Sequence, residues 1–76
     1  MFDRIVSDPA VLGGKPCVRG TRLSVEFLVE LIASGASRDD IVRAFPALTV
    51  EDVEEALRYA AASLRDDVFL TAPIAK

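Results

Sequence analysis

The residues best suited to chemistry in this sequence lie between positions 11 and 25, in the segment VLGGKPCVRGTRLSV. Gly13-Gly14-Lys15 could bind phosphate, because glycines let backbone N–H groups approach an anion and lysine adds a positive charge. The segment departs from the GxxxxGK[ST] pattern, and Pro16 lacks one of the N–H groups that a phosphate cradle uses. Nucleotide binding is therefore disfavoured.

The sequence offers few residues for nucleophilic catalysis or metal binding. Cys17 could act as a nucleophile only beside a base or a group that lowers its pKa, and the sequence contains no histidine. Acidic residues cluster at positions 39–40 and 51–55, where the first turns of two helices are predicted and carboxylates complement the helix dipole. We expect Cys17 to be a small buried residue, and we expect no metal, no cofactor and no enzymatic activity.

Four residues of the same segment could instead contact nucleic acid: Lys15, Arg19, Thr21 and Arg22. They place three cations within eight residues of a glycine-rich hairpin, and two copies in a dimer would form a basic ridge. The alternative is that these cations form ion pairs with Glu26, Asp8 or Asp3. The sequence leaves both possibilities open.

Two amphipathic helices are predicted over residues 37–62, and they organise the rest of the chain. Ser37 and Asp40 have the spacing of a capping box, and Thr49 and Asp52 repeat it. Each helix carries its apolar residues on one face, and a proline between them ends the first. The two helices are therefore expected to cross and pack as a helix-turn-helix.

The remaining elements complete one small domain. Phe2 to Val6 is predicted to form a strand, and Val25 to Ser34 a helix that ends at Gly35. The predicted fold is mainly α, a three-helix helix-turn-helix domain preceded by a short N-terminal β-hairpin. The domain is expected to occupy residues 1–64, followed by a C-terminal tail, residues 65–76.

The first helix has a wider apolar face than a small monomer needs. Ser24 is suited to cap it, and its apolar residues cover an arc of about 200°. The excess packs either against the N-terminal hairpin or against a second subunit. In the second case Phe27 and Leu31 form the interface of a homodimer.

Charge argues against DNA as the main partner. The 76 residues include nine Lys and Arg against twelve Asp and Glu, a net charge of −3, whereas dedicated nucleic-acid binders are usually basic. In the helix-turn-helix mode the second helix meets the bases, and its outward positions are expected to include Glu51, Glu54 and Glu55. These carboxylates would be repelled by phosphate.

The sequence also suggests a cellular location for the protein and two possible roles for its C-terminal tail. The sequence has no apolar run of about 18 residues and no signal-peptide core, so we expect a cytoplasmic protein with no membrane segment. In the tail, Val68, Phe69 and Leu70 follow two aspartates. This triplet either folds back on its own domain or docks on a partner.

Taken together, the motifs closely resemble those of the small bacterial proteins grouped as domain-of-unknown-function family 433 (DUF433), over about residues 5–62. The matching positions are Asp8-Pro9, Gly14-Lys15-Pro16, Gly20-Thr21-Arg22, Val25, Gly35, Pro46, Leu48-Thr49 and Ala56-Leu57. The resemblance implies a frequently dimeric helix-turn-helix domain and a VapB-type antitoxin that binds and silences a PIN-like ribonuclease, of the kind often encoded beside members of this family. Repression of its own promoter is part of the same expectation, and the tail is assigned to the toxin by analogy. The alternatives are a stand-alone transcriptional repressor and a dimeric scaffold without DNA binding.

Overall fold

A computed structural model describes residues 2–65. Its elements in chain order are strand β1 (Ile5–Val6), a 3₁₀ turn (Leu12–Gly14), strand β2 (Cys17–Val18) and helices α1 (Val25–Ala33), α2 (Arg38–Ala44) and α3 (Val50–Leu64). The predicted fold is confirmed, with three helices preceded by a two-stranded antiparallel hairpin. The predicted N-terminal strand is shorter than expected. Val68, Phe69 and Leu70 lie outside the described residues.

Each helix begins at the side chain that the sequence predicts. The Ser24 hydroxyl accepts the backbone N–H of Phe27 at 3.0 Å and caps α1. In α2, Ser37 accepts from the Asp40 backbone at 3.0 Å, and the Asp40 carboxylate accepts the Ser37 N–H at 2.9 Å. The same reciprocal pair starts α3 at Thr49, as described below. Both capping boxes are confirmed.

Helix α1 ends in a Schellman motif. Gly35 has φ +105°, a backbone conformation that glycine adopts without strain. Its N–H donates to the Ile32 carbonyl at 3.0 Å, and the Ala36 N–H donates to the Leu31 carbonyl at 3.1 Å. The chain therefore reverses within a few residues, so that α2 and α3 can pack across α1.

The core lies between the hairpin and the three helices. In the hairpin Ile5 faces Val18 and Val6 faces Cys17. Cys17 is only 2% exposed, which confirms that it is a buried residue. The other fully buried side chains of the core come from all three helices and the turn before α3: Leu28, Ile41, Leu48, Val53 and Ala56. Among residues 2–65, none of the helices has the length and apolar character needed to cross a bilayer.

Candidate functional site

The glycine-rich segment uses its own N–H groups internally. The Gly14 N–H donates to the Val11 carbonyl at 3.0 Å, and the Lys15 N–H donates to the Leu12 carbonyl at 3.3 Å. Both bonds belong to the 3₁₀ turn. These donors are therefore not available to an anion, which agrees with the low expectation for nucleotide binding.

Most of the four predicted nucleic-acid contacts already have partners inside the domain. Lys15 pairs with Glu26, with Nζ and Oε1 at 3.0 Å, as the alternative expectation proposed. Arg19 donates from Nε to the Asp3 carbonyl at 3.0 Å. Thr21 donates its hydroxyl to the Val18 carbonyl at 2.8 Å and thereby shapes the loop. Three of the four residues thus have contacts within the domain.

Arg22 differs from the other three. It is exposed, and its guanidinium has no hydrogen bond or ion pair with any of residues 2–65. It lines a cavity of about 350 Å³ together with Asp8 and Cys17. Arg22 is therefore the one member of the predicted set that is fully available to a phosphate.

The acidic face of α3 is directed outward only in part. Glu55 is only 9% exposed, and it accepts the backbone N–H of Arg4 at 2.6 Å. The sequence prediction for Glu55 was wrong because the N-terminal strand covers this side of α3. Glu51 is exposed as predicted, whereas Glu54 is half-buried and pairs with Arg38 at 3.4 Å.

Arg4 joins the N-terminal segment to the start of α3. Its guanidinium donates to Asp52 Oδ1 at 3.0 Å and lies 3.8 Å from Glu55 Oε1. Asp52 also accepts the Thr49 N–H at 2.9 Å, and its own N–H donates to the Thr49 hydroxyl at 3.1 Å. Sequence reasoning missed Arg4, because its partners are 48 and 51 residues away and no local spacing predicts them.

This arrangement holds the pKa of Asp52 below its usual value. Burial alone would raise the pKa, but hydrogen bonds from the Thr49 backbone, the Arg4 guanidinium and the Thr49 hydroxyl lower it by more. The ionised form of Asp52 is therefore favoured by folding. Its contribution is fully present above the unfolded pKa of about 4 and is lost as the pH falls through the lower folded pKa.

We accordingly expect acid to destabilise the domain through Asp52. The free energy of unfolding of the wild-type chain should fall as the pH is lowered below about 4. In Asp52→Asn this fall should be shallower, since the titrating group is gone. Urea unfolding followed by circular dichroism between pH 2 and 6 measures both curves. Parallel curves would contradict the assignment.

An apolar groove of about 350 Å³ runs between α1 and α3. Its lining residues are Pro16, Val25, Glu26, Val29, Glu30, Tyr59, Ala60, Ser63 and Leu64. Leu64 is 55% exposed and is the most exposed large apolar side chain among residues 2–65. The Ser63 hydroxyl donates to the Tyr59 carbonyl at 2.9 Å, so it needs no further partner. The groove therefore offers apolar surface to another segment.

The predicted dimer residues lie on another side of α1. Phe27 is 37% exposed and meets Phe45 edge to face, with ring centroids 5.7 Å apart. Leu31 is half-buried against the core. On a helix, Phe27 and Val29 are about 160° apart, so a dimer through Phe27 would leave the groove open. The dimer itself stays a prediction.

Comparison with known proteins gives one family. The model of the family described as "Protein of unknown function (DUF433)" matches residues 5–60. "Uncharacterized protein y4eO" of Sinorhizobium fredii (strain NBRC 101917 / NGR234) is 39% identical over 59 residues, which are 78% of this chain and 27% of that protein. The chain thus spans about a quarter of the length of this curated relative.

A solved structure agrees with the fold. The crystal structure of a DUF433 member protein from Anabaena variabilis ATCC 29413 superposes with a TM-score of 0.74 at 31% identity. The match covers 86% of this chain and 63% of that one, so this chain also spans less than two thirds of the solved protein. Because the family model matches most of the sequence and a family member shares its fold, this chain belongs to the DUF433 family.

Proposed function

We propose that this protein is a non-enzymatic, antitoxin-like binding protein that binds and inhibits a PIN-like ribonuclease. The observation that carries the proposal is the apolar groove between α1 and α3, which is open to solvent in the described part of the chain, residues 2–65. A surface groove lined by Val29, Ala60 and Leu64 is the kind of feature that a partner protein covers. The net charge of −3 supports a protein partner rather than a nucleic acid.

The test is reconstitution with the product of the neighbouring gene, which the proposal expects to be a PIN-like ribonuclease. We expect the two proteins to co-purify, and RNA cleavage by the nuclease to fall in proportion to added protein until the two are equimolar. Fluorescent RNA reports the cleavage rate, and size-exclusion chromatography reports the complex. A nuclease that keeps its full activity with a large excess of this protein would refute the inhibitory function.

Repression of its own promoter is a second candidate function. Arg22 favours it, because this cation is exposed in the loop between β2 and α1 and has no partner among residues 2–65. Binding of DNA through Arg22 should depend on salt, because each phosphate contact releases counterions.

The proposal also includes a homodimer through Phe27 and Leu31. Sedimentation of the wild-type chain and of Phe27→Ser measures directly whether this dimer forms.

Fluorescence anisotropy on the upstream DNA tests the repressor. We expect Arg22→Ala to reduce the slope of log affinity against log salt by about one unit in each subunit. Arg58→Ala is the matched variant, because Arg58 is also exposed and lacks a partner among residues 2–65 but lies on α3. An effect of Arg58→Ala alone would assign the DNA contact to α3 rather than to the loop before α1. A flat salt dependence for the wild-type chain would end the repressor proposal.

A further inference from the structure

We infer that the groove between α1 and α3 binds an amphipathic helix whose apolar face is flanked by Lys or Arg. This inference rests on the proposed function and specifies the part of the partner that is recognised. It depends on the shape of the groove, on the charges at its edge and on the charge of the chain itself.

The spacing of the lining residues fits a helix. Val25 and Val29 are one turn apart on α1, and Ala60 and Leu64 are one turn apart on α3. Four helical residues rise by about 6 Å. A partner helix with apolar side chains at i and i+4 therefore presents the same repeat to both walls.

Small side chains allow such a helix to approach closely. Ala60 and Ser63 are the small residues of the lining, and the larger side chains of Val29, Tyr59 and Leu64 stand beside them. The Tyr59 ring is held edge to face against Phe2, with centroids 5.4 Å apart. The position of the Tyr59 ring is therefore restricted before any partner arrives, which lowers the entropy cost of ordering this side chain on binding.

The charges at the edge of the groove favour a partner segment with positive charge. Glu26 and Glu30 are its charged lining residues, and both are exposed. Glu26 is paired with Lys15, whereas the Glu30 carboxylate has no hydrogen bond or ion pair with any of residues 2–65. A cation on the partner can thus pair with Glu30 at little cost, and an acidic partner would be repelled.

The same charges disfavour a second copy of this chain as the occupant. A symmetric dimer through the groove would place the Glu26 and Glu30 carboxylates of both copies in one interface, and each chain carries a net charge of −3. The chain's own segment after residue 65 is also poorly matched in sequence, since Asp66 and Asp67 stand directly before its apolar triplet. A basic-flanked helix of another protein is the occupant that the charges favour.

Two labelled peptides test the inference with the full-length chain. One is a 14-residue helix-forming peptide of Leu and Lys with apolar residues on one face, and the other has Glu at every Lys position. We expect fluorescence anisotropy to show the Lys peptide binding about tenfold more tightly, corresponding to one partly desolvated charge pair. Failure of the chain to bind the Lys peptide overturns the inference.

Charge reversal locates the contact. Glu30→Lys should reduce the preference for the Lys peptide to about twofold or less. Glu51→Lys is the matched control, because Glu51 is also exposed and unpaired among residues 2–65 but does not line the groove. It changes the net charge equally and should keep most of the preference. Equal effects of the two variants would show a general charge effect and overturn the groove as the site.

Filling the groove tests its shape. Ala60→Trp should weaken binding of both peptides by about tenfold, because the indole occupies the space of the incoming helix. A thermal melt establishes that the variant is folded, and Val29→Asp serves as a second variant at the opposite wall. Unchanged affinity in both variants overturns the inference.

The other occupants are excluded or found by separate measurements. Nuclear Overhauser effects between the Phe69 ring and the Val29 or Ala60 methyl groups in the free chain would assign the groove to the chain's own tail. A dimer in sedimentation equilibrium that is lost in Ala60→Trp would assign it to a second copy. Either result overturns the inference.

The two proposals fail in different ways. If the wild-type chain and Ala60→Trp inhibit the nuclease equally, the groove is not the binding site, and the proposed function still stands. If the peptide preference follows Glu30 but no nuclease is inhibited, the groove assignment stands and the antitoxin function fails.

Discussion

Leu28→Ala should lower the free energy of unfolding by about 2 to 5 kcal/mol, the range for removing a buried leucine side chain. Leu28 is 0% exposed. It shares the core with Val18, Ile41 and Val53, which come from the hairpin and the other two helices. Because its neighbours belong to separate elements, they cannot all move into the space that the deletion leaves. The cost should therefore include a cavity as well as lost burial.

The measurement is thermal and urea unfolding followed by circular dichroism. For a domain of 60 to 100 residues, each kcal/mol changes the melting temperature by about 4 to 8 °C, so Leu28→Ala should melt at least about 8 °C lower. Leu64→Ala removes the same atoms at a position that is 55% exposed. It should change the stability by no more than about 0.5 kcal/mol. Similar losses in the two variants would contradict the description of the core.

The helix starts and ends could be predicted because the contacts that make them are local. Ser37 and Asp40 are three residues apart, and their two side chains satisfy each other's backbone N–H groups. Gly35 follows the last turn of α1, and a glycine can adopt the positive φ that ends a helix at this position without help from distant residues. The fold class followed from these signals together with the apolar faces that the helices must bury against each other.

The sites could not be predicted in the same way, because they depend on which segments meet in space. The outward direction of Glu55 was inferred from the periodicity of α3 alone, which contains no information that the N-terminal segment covers this face. The groove combines residues 25–30 with residues 59–64, and its width depends on how α1 and α3 pack. The pair of Lys15 and Glu26 was an open alternative, since 11 residues separate them across a loop.

The contact between Arg4 and α3 leads to the second large effect. Asp52→Ala should lower the free energy of unfolding by about 2 to 3 kcal/mol, because it removes a helix cap and a charge-assisted hydrogen bond together. The Asp52 carboxylate accepts the Thr49 N–H at 2.9 Å and the Arg4 guanidinium at 3.0 Å. Without it the start of α3 loses its capping box, and among residues 2–65 Arg4 keeps Glu55 as its one acidic partner.

Asp40→Ala is the matched control for this prediction. Asp40 occupies the same position in the capping box of α2, with the Ser37 N–H at 2.9 Å, and its partner Arg43 at 3.3 Å is exposed. Asp40→Ala should therefore lose less stability than Asp52→Ala, because of the two carboxylates only Asp52 also connects its helix to a distant segment. Urea unfolding of both variants and of Arg4→Ala gives the comparison. If Asp52→Ala and Asp40→Ala lose equal stability and Arg4→Ala loses none, then Arg4 does not hold the N-terminal segment on α3, and burial of Glu55 must have another cause.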